Sequence, residues 1–276
     1  MSERPAIPEP LKREIRQRDG FGCVLCGCPL YVYEHFEEFS KVKEHTLGNI
    51  YLLCDTHHRE KEHLLPLEKI ETARKSPRNR KAEFTHLHPL HYFGDKCVLK
   101  IGSSTFRSVL SELNNSFSAI VVENEEIFNF RFEDGHILFT TKIYDPDGNL
   151  VVHILDNQLL IKTENWDVEF IKNRLTIRHA PSEIAVEIAF DPPSNITFLR
   201  GTFYSSNGYP IQIKNEKLLF NHGIDGTFVC EDHDTSRKYC IVVNSDRRFG
   251  DRCMVEIDNR VTQEYWDWLT KKNKQN

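Results

Sequence analysis

Two periodicities divide the chain. Near its start, apolar positions recur at helical spacing. Leu11 and Ile15 lie four apart, on one face of a helix that Pro8-Glu9-Pro10 opens and Asp19-Gly20 closes. "YVYEHF" and "IYLL" then read as two short strands of aromatic and β-branched residues, with a Gly48-Asn49 turn before the second. Asp55 stands where it would cap a helix that begins near Thr56 and runs through "HHREKEH". After Pro66, the residues Leu67, Ile70 and Ala73 mark a further helix. From about residue 96 the pattern changes to short β-rich runs, such as "FNFRFEDGHILFTTKIY" and "NITFLRGTFYSSNGYPIQI". Turn signals separate them at Glu133-Asp134-Gly135, Asp145-Pro146-Asp147-Gly148 and Asn207-Gly208. Period-two alternation is visible in Thr176-Ile177-Arg178 and in Ala185-Val186-Glu187-Ile188. Val261, Tyr265 and Leu269, at helical spacing, predict a closing helix.

The pattern predicts an α+β chain of two parts. A small module covers residues 1–84, and an all-β domain covers 96–276 as a sandwich, a barrel or a loose solenoid. "RKSPRNRKAEF" reads as the basic, Pro-interrupted linker between them. Hydrophobic residues make up 39% of the chain and charged residues 28%, enough apolar mass for real cores. No apolar run approaches the roughly 18–20 residues of a membrane span. The start "MSERPAIPEPLKREIRQRD" has no apolar signal region, so a cytoplasmic protein without a membrane partner is expected. The formal net charge of −5 is unevenly spread. Residues 1–84 hold 15 Lys and Arg against 14 Asp and Glu, and the remainder holds 21 against 27. A basic face is therefore expected only in the first part.

Eight cysteines are too few for a disulfide scaffold of this length. Cys97, Cys230, Cys240 and Cys253 are scattered and read as buried or idle thiols. A second metal site from Cys230, His233 and Cys240 would lack a tight ligand pair. The other four lie within the first 54 residues. Cys23-x-x-Cys26 and Cys54-x-x-His57 are two pairs with the spacing of a closed tetrahedral zinc site, bracketing a predicted hairpin. Cys28 is the one alternative to Cys26. A module this small buries little core, so a metal staple would supply stability it otherwise lacks. The cluster uses His57 and leaves His58 beside it. Helical neighbours point about 100° apart, so either one histidine is idle or the two do different work.

Glu34-His35, Asn49 in a Gly-Asn-Ile turn, and "LLCDTHHREK" follow the Cys-x-x-Cys pair in a set order. Over about residues 11–65 this order resembles the HNH endonuclease family. The resemblance implies a ββα-metal fold that clasps one catalytic divalent ion, Mg²⁺ or Mn²⁺, apart from a structural zinc held by Cys23, Cys26, Cys54 and His57. It implies that His35 is the general base and that Asn49 holds the loop and orients it. Glu34 and His58 would be the ligands of the catalytic ion, with Glu34 where the family more often has Asp or His. Phe36-Glu37-Glu38-Phe39 also departs from the family, which often has Pro or Gly shortly after the first histidine. Arg13, Arg16, Arg59 and Lys61 are the candidate phosphate contacts; His45 and His63 read as surface histidines, with contact to the site the alternative for either. The expectation is thus a metal-dependent endonuclease acting on DNA, in defence against foreign DNA. A small-molecule or protein trigger, or an oligomer, would act through the β-rich domain. The rival is a non-catalytic, zinc-dependent nucleic-acid-binding or sensor protein.

Overall fold

The computed structural model describes residues 5–220, 227–228, 233–234, 236–247 and 249–257. The protein is mostly β-sheet, with four α-helices among the described residues, all before residue 76. Contacts group the chain into two compact units. The first comprises Met1–Leu90, Val151–His153 and Gln158–Phe190; the second comprises His91–Leu150, Ile154–Asn157 and Asp191–Asn276. The change near residue 90 matches the change in periodicity. The return of residues 158–190 to the first unit has no counterpart in the sequence pattern.

In the first unit, α1 (Glu9–Asp19) starts at a proline-rich turn and ends at Gly20, whose φ of 70° makes the left-handed cap that glycine tolerates. β1 (Val32–His35) pairs antiparallel with β2 (Ile50–Leu53), placing Glu34 opposite Tyr51 and His35 opposite Ile50. Between them lie the short α2 (Phe39–Val42) and a loop. All four residues of β2 are buried because both of its faces are covered. Ile50 and Leu52 pack with Ile15 and Leu11 of α1. Tyr51 and Leu53, on the opposite face, pack with Cys23, Val24 and Cys54, and with Ile70 of α4 (Leu67–Lys75). α3 (Asp55–Glu60) follows β2 directly. Its cap position is Cys54, and Asp55 lies inside the first turn, which corrects the expected cap.

The stretch expected as a linker is built into this unit. Residues Arg78–Lys81 form a 3₁₀ turn, and Asn79 is buried. Its Nδ2 donates to the carbonyls of Gly20 and Gly27 at 2.9 and 3.1 Å. A Cβ at Gly27, where φ is 80°, would fall 2.1 Å from Asn79 Oδ1. Glycine is therefore required there.

Arg16 ties α1 to the antiparallel meander of Asp167–Ile171, Arg174–Ala180 and Glu183–Asp191. Its guanidinium is 1% exposed and forms a fork with both Asp167 carboxylate oxygens at 2.8 Å. It also donates to Tyr33 Oη at 2.8 Å and Glu9 at 2.9 Å. Burial works against this charge, but the Asp167 bond overrides it and the Arg16 pKa is raised. The alternation expected at Ala185–Ile188 is replaced by continuous burial through Phe190, since that strand is covered on both faces.

The second unit is all β among the described residues, apart from short 3₁₀ turns. Asn195–Tyr204 runs parallel to Lys96–Ile101 through Phe198, then pairs antiparallel with Pro210–Lys214 from Gly201 onward. Gly201 has a φ of 141° at this change of partner. One strand thus serves two sheets, which a single closed barrel does not require. The turns Glu123-Asn124, Asp134-Gly135, Asp156-Asn157 and Asn215-Glu216 each place two consecutive residues at positive φ, the requirement of tight two-residue hairpins. Phe117, Phe128, Phe130, Phe139, Phe198 and Phe203 are fully buried and stack in the core. The expected closing helix and the Cys230 thiol lie outside the described residues. Cys97, Cys240 and Cys253 are buried.

Asp167→Ala leaves the Arg16 guanidinium buried without its main partner. It is expected to destabilise the first unit by about 3–5 kcal/mol, read as a lower urea midpoint with tryptophan emission as the probe.

Candidate functional site

The turn after α1 brings Cys23 and Cys26 to one point. The Gly27 N–H donates to the Cys23 carbonyl at 2.7 Å, and the Cys23 N–H to the Cys28 carbonyl at 2.9 Å. The end of β2 and the first turn of α3 bring Cys54 and His57 to the same point. The four ligand atoms lie within 4.8 Å of one another. His57 Nδ1 is 3.4 Å from Cys23 Sγ and 3.3 Å from Cys54 Sγ, and the Cys26 and Cys54 sulfurs are 3.7 Å apart. Tetrahedral zinc, with bonds of about 2.3 Å to sulfur and 2.0–2.1 Å to nitrogen, sets edges of about 3.6–3.8 Å. The set therefore fits a metal such as zinc. Cys26 belongs to it, and Cys28 packs against the neighbouring apolar cluster. Glu60 approaches the far nitrogen of His57 at 3.9 Å, where a carboxylate steadies a ligating imidazole. A hydrogen bond between Cys26 and Cys23 holds the Cys23 pKa down and pushes the Cys26 pKa up.

His58 turns away from the sulfurs. Its Nε2 lies 2.9 Å from Glu34 Oε2. Lys61, one residue past α3, holds the other carboxylate oxygen at 2.5 Å and donates to the His35 carbonyl at 2.6 Å. Its ammonium also stands 6.0 Å from the Tyr51 ring. Among the described residues, no third His, Cys, Asp or Glu joins Glu34 and His58 at metal-ligand spacing.

His35 follows Glu34 in an extended strand, where successive side chains face opposite ways. Its ring is 4% exposed, and its Nε2 lies 3.1 Å from His45 Nδ1. The structure thus brings together Glu34, His58 and Lys61, and places the His35 ring with His45. Asn49 clasps the intervening loop. Its Oδ1 accepts the Glu37 N–H at 2.8 Å, and its Nδ2 donates to the Glu37 carbonyl at 2.9 Å. The Asn49 carbonyl accepts from Phe36. Asn49 therefore holds Phe36 and Glu37, the first residues of the loop.

The basic residues divide. Arg16 is corrected as a phosphate contact, because its guanidinium is buried against Asp167. Arg13 is partly drawn into the same network, stacked 4.6 Å over Trp166 with Asp167 at 3.9 Å. Lys61 is turned inward to Glu34. Arg59 lies beside His58 on α3, its Nε donating to the Asp55 carbonyl at 3.3 Å. His63 is exposed as expected. His45, read from sequence as a surface histidine, is half-buried against His35. Lys61 and His45 are the two residues whose contacts the motif did not convey. The helical offset of Lys61 from His58 was the available hint for the first, and no local signal pointed to the second.

No helix among the described residues is long and apolar enough to cross a membrane. His57→Ala is expected to lose stoichiometric zinc and the protease-resistant core of the first unit, and His58→Ala to keep both. Atomic absorption and limited proteolysis read the difference; equal zinc loss in the two variants would overturn the division of labour. No family model, curated protein or solved structure matches the chain.

Proposed function

We propose that the chain is a metal-dependent endonuclease of the HNH type that hydrolyses DNA phosphodiester bonds. The observation that carries this reading is the contact between Glu34 and His58. A carboxylate oxygen and an imidazole nitrogen 2.9 Å apart match the edge, about 3.0 Å, of an octahedron with bonds of about 2.1 Å. One carboxylate, one imidazole and open water positions suit Mg²⁺ or Mn²⁺. When bound, such a cation offsets charge on the scissile phosphate and the leaving oxygen. His58 is 45% exposed, so the pair faces solvent, where a DNA strand can reach it. Arg59, beside it, is the phosphate contact this reading favours.

In this reading His35 takes a proton from the attacking water, a role suited to an imidazole near neutral pH. Asn49 fixes the loop that follows His35. Lys61 anchors Glu34 and the end of β1 to α3. The His35 ring is covered, so substrate must gain access to it past the loop from Phe36 to Gly48. The β-rich remainder carries the acidic excess, and we assign it to target recognition or to sensing a trigger rather than to wrapping DNA. Defence against foreign DNA in the cytoplasm is the setting this pairing suits.

A non-catalytic zinc-dependent nucleic-acid binder is the second reading. The Lys61 ammonium favours it, because it already neutralises Glu34 at 2.5 Å. Cleavage separates the two. The zinc-loaded protein is expected to nick or cut plasmid with Mg²⁺ or Mn²⁺. His35→Ala should slow cleavage by at least about 100-fold while its zinc content stays unchanged. Undiminished cutting by that variant would remove His35 from the chemistry. DNA binding with no cutting across metals would establish the second reading.

A further inference from the structure

Arg74, in the last turn of α4, is a cation held without a carboxylate partner. Its guanidinium stands 4.5 Å from the Phe36 ring centroid and 5.4 Å from that of Tyr51, and one terminal nitrogen donates to the Gly48 carbonyl. Its Nε is buried and has no hydrogen-bond partner. The acids nearby are already engaged. Asp19 takes the Arg18 fork at 2.7 and 2.8 Å and the Leu52 N–H at 2.9 Å, and Glu71 pairs with Lys75 at 2.9 Å. Arg18 also donates to the Leu47 and Ile50 carbonyls, which fix its direction. Burial first, and then the neighbouring Arg18 charge, hold the Arg74 pKa below its ordinary value. Arginine keeps its charge all the same, so an anion received beside it relieves this repulsion. Arg18, Arg74 and Lys75 share a cavity of about 230 Å³ with Gly48 and Glu71.

We propose that this cavity receives a backbone phosphate of the DNA strand, bound by Arg74 and Lys75 beside Arg18. The identity of the anion as DNA rests on the endonuclease reading; the anion site does not. Position favours a strand over a free ion. Arg74 touches both ends of the loop past which substrate reaches His35: Phe36 at its start and Gly48 at its end. A phosphate bound there lays the strand along that loop. Arg18 also lines an adjoining cleft of about 590 Å³ with Arg80 and Trp166. Arg80 is exposed, and its side chain forms no hydrogen bond or ion pair among the described residues. Glu14 and Glu164 line the same cleft, so it suits a base and its sugar with one phosphate rather than a row of phosphates. An aromatic ring and an uncommitted guanidinium next to a phosphate site suit the continuation of a strand.

Charges on the cavity rim test this without disturbing the loop. The Lys75 and Glu71 side chains are 74% and 50% exposed, so changes to them leave the fold intact. Lys75→Gln removes a cation from the cavity; Glu71→Gln removes its anion and releases Lys75. The zinc-loaded full chain, without added Mg²⁺ or Mn²⁺, is titrated by fluorescence anisotropy against short labelled duplexes of two unrelated sequences over a range of salt. Lys75→Gln and Arg80→Gln are expected to weaken binding to both duplexes about threefold or more, and each to lower the slope of log affinity against log salt by about one. Glu71→Gln is expected to tighten binding about two- to threefold, a gain that a purely structural role for these side chains does not produce. Arg74→Gln should weaken binding about tenfold; because Arg74 also clasps Gly48, the Lys75 and Glu71 variants carry the comparison if it misfolds. Unchanged affinity in both Lys75→Gln and Glu71→Gln overturns the inference. Inorganic phosphate at constant ionic strength is the probe for a free ion. If it raises the urea midpoint of the wild type but not of Lys75→Gln, while neither duplex binds, the strand is overturned as the source of the phosphate. No response to phosphate or to duplex overturns the site itself. A wild type that binds duplex through these residues and cuts none refutes the endonuclease reading and upholds the phosphate site.

Discussion

The first unit depends on four ligand atoms held within a few ångströms of one another. Three sulfurs and one imidazole nitrogen at this spacing could hold a metal such as zinc. With a cation, the turn after α1, the end of β2 and the start of α3 meet at one fixed point. The apolar support is modest: Tyr51, Leu53 and Ile70 on one side of β2, and Ile15 with Ile50 and Leu52 on the other. The start of α3 is set at that point. α3 is six residues long, too short to hold its direction by itself, and its first turn is set by a ligand at each end of the Cys54-x-x-His57 pair.

A helix fixed at its start turns adjacent side chains to defined and different sides. His57 points inward to the sulfurs, and His58 points outward to Glu34. Lys61 then returns one turn later to the same carboxylate, so the exposed edge of β1 and the outer face of α3 are stitched together by Glu34. Asn49 closes the loop between the strands from the other end. The two halves of the candidate site therefore have different supports. Glu34 and His58 rely on the helix that starts between Cys54 and His57, whereas His35 relies on the loop, on Phe39 and on His45.

What the sequence made legible was local. Ligand pairs three residues apart, strands of four residues and helices opened by proline all declare themselves within a short window, and those elements stand where the pattern puts them. The long-range ties were not legible. Arg16 sits among basic residues on the first helix and reads as a candidate phosphate contact; its partner Asp167 lies 151 residues away. Asn79 sits in a basic, Pro-broken stretch and reads as linker, yet its amide spans two glycine carbonyls from separate turns. His45 carries no spacing signature, because its contacts are a ring on the opposite side of a loop and a backbone carbonyl 40 residues upstream. In each case one buried polar group is satisfied by a partner that no period along the chain could indicate.

The Arg16–Asp167 fork also bears on how the polypeptide can be made. Chains emerge from the ribosome at about 5–20 residues per second, and domains generally fold as they appear. The first unit cannot complete itself in that way, because its meander is encoded after more than sixty residues of the second. Through that interval Asp167, the main partner of Arg16, has yet to be made. The same interlacing means that severing the gene near residue 84 would not release a complete first unit. It would release a segment whose Arg16 guanidinium has lost Asp167, the partner of its fork.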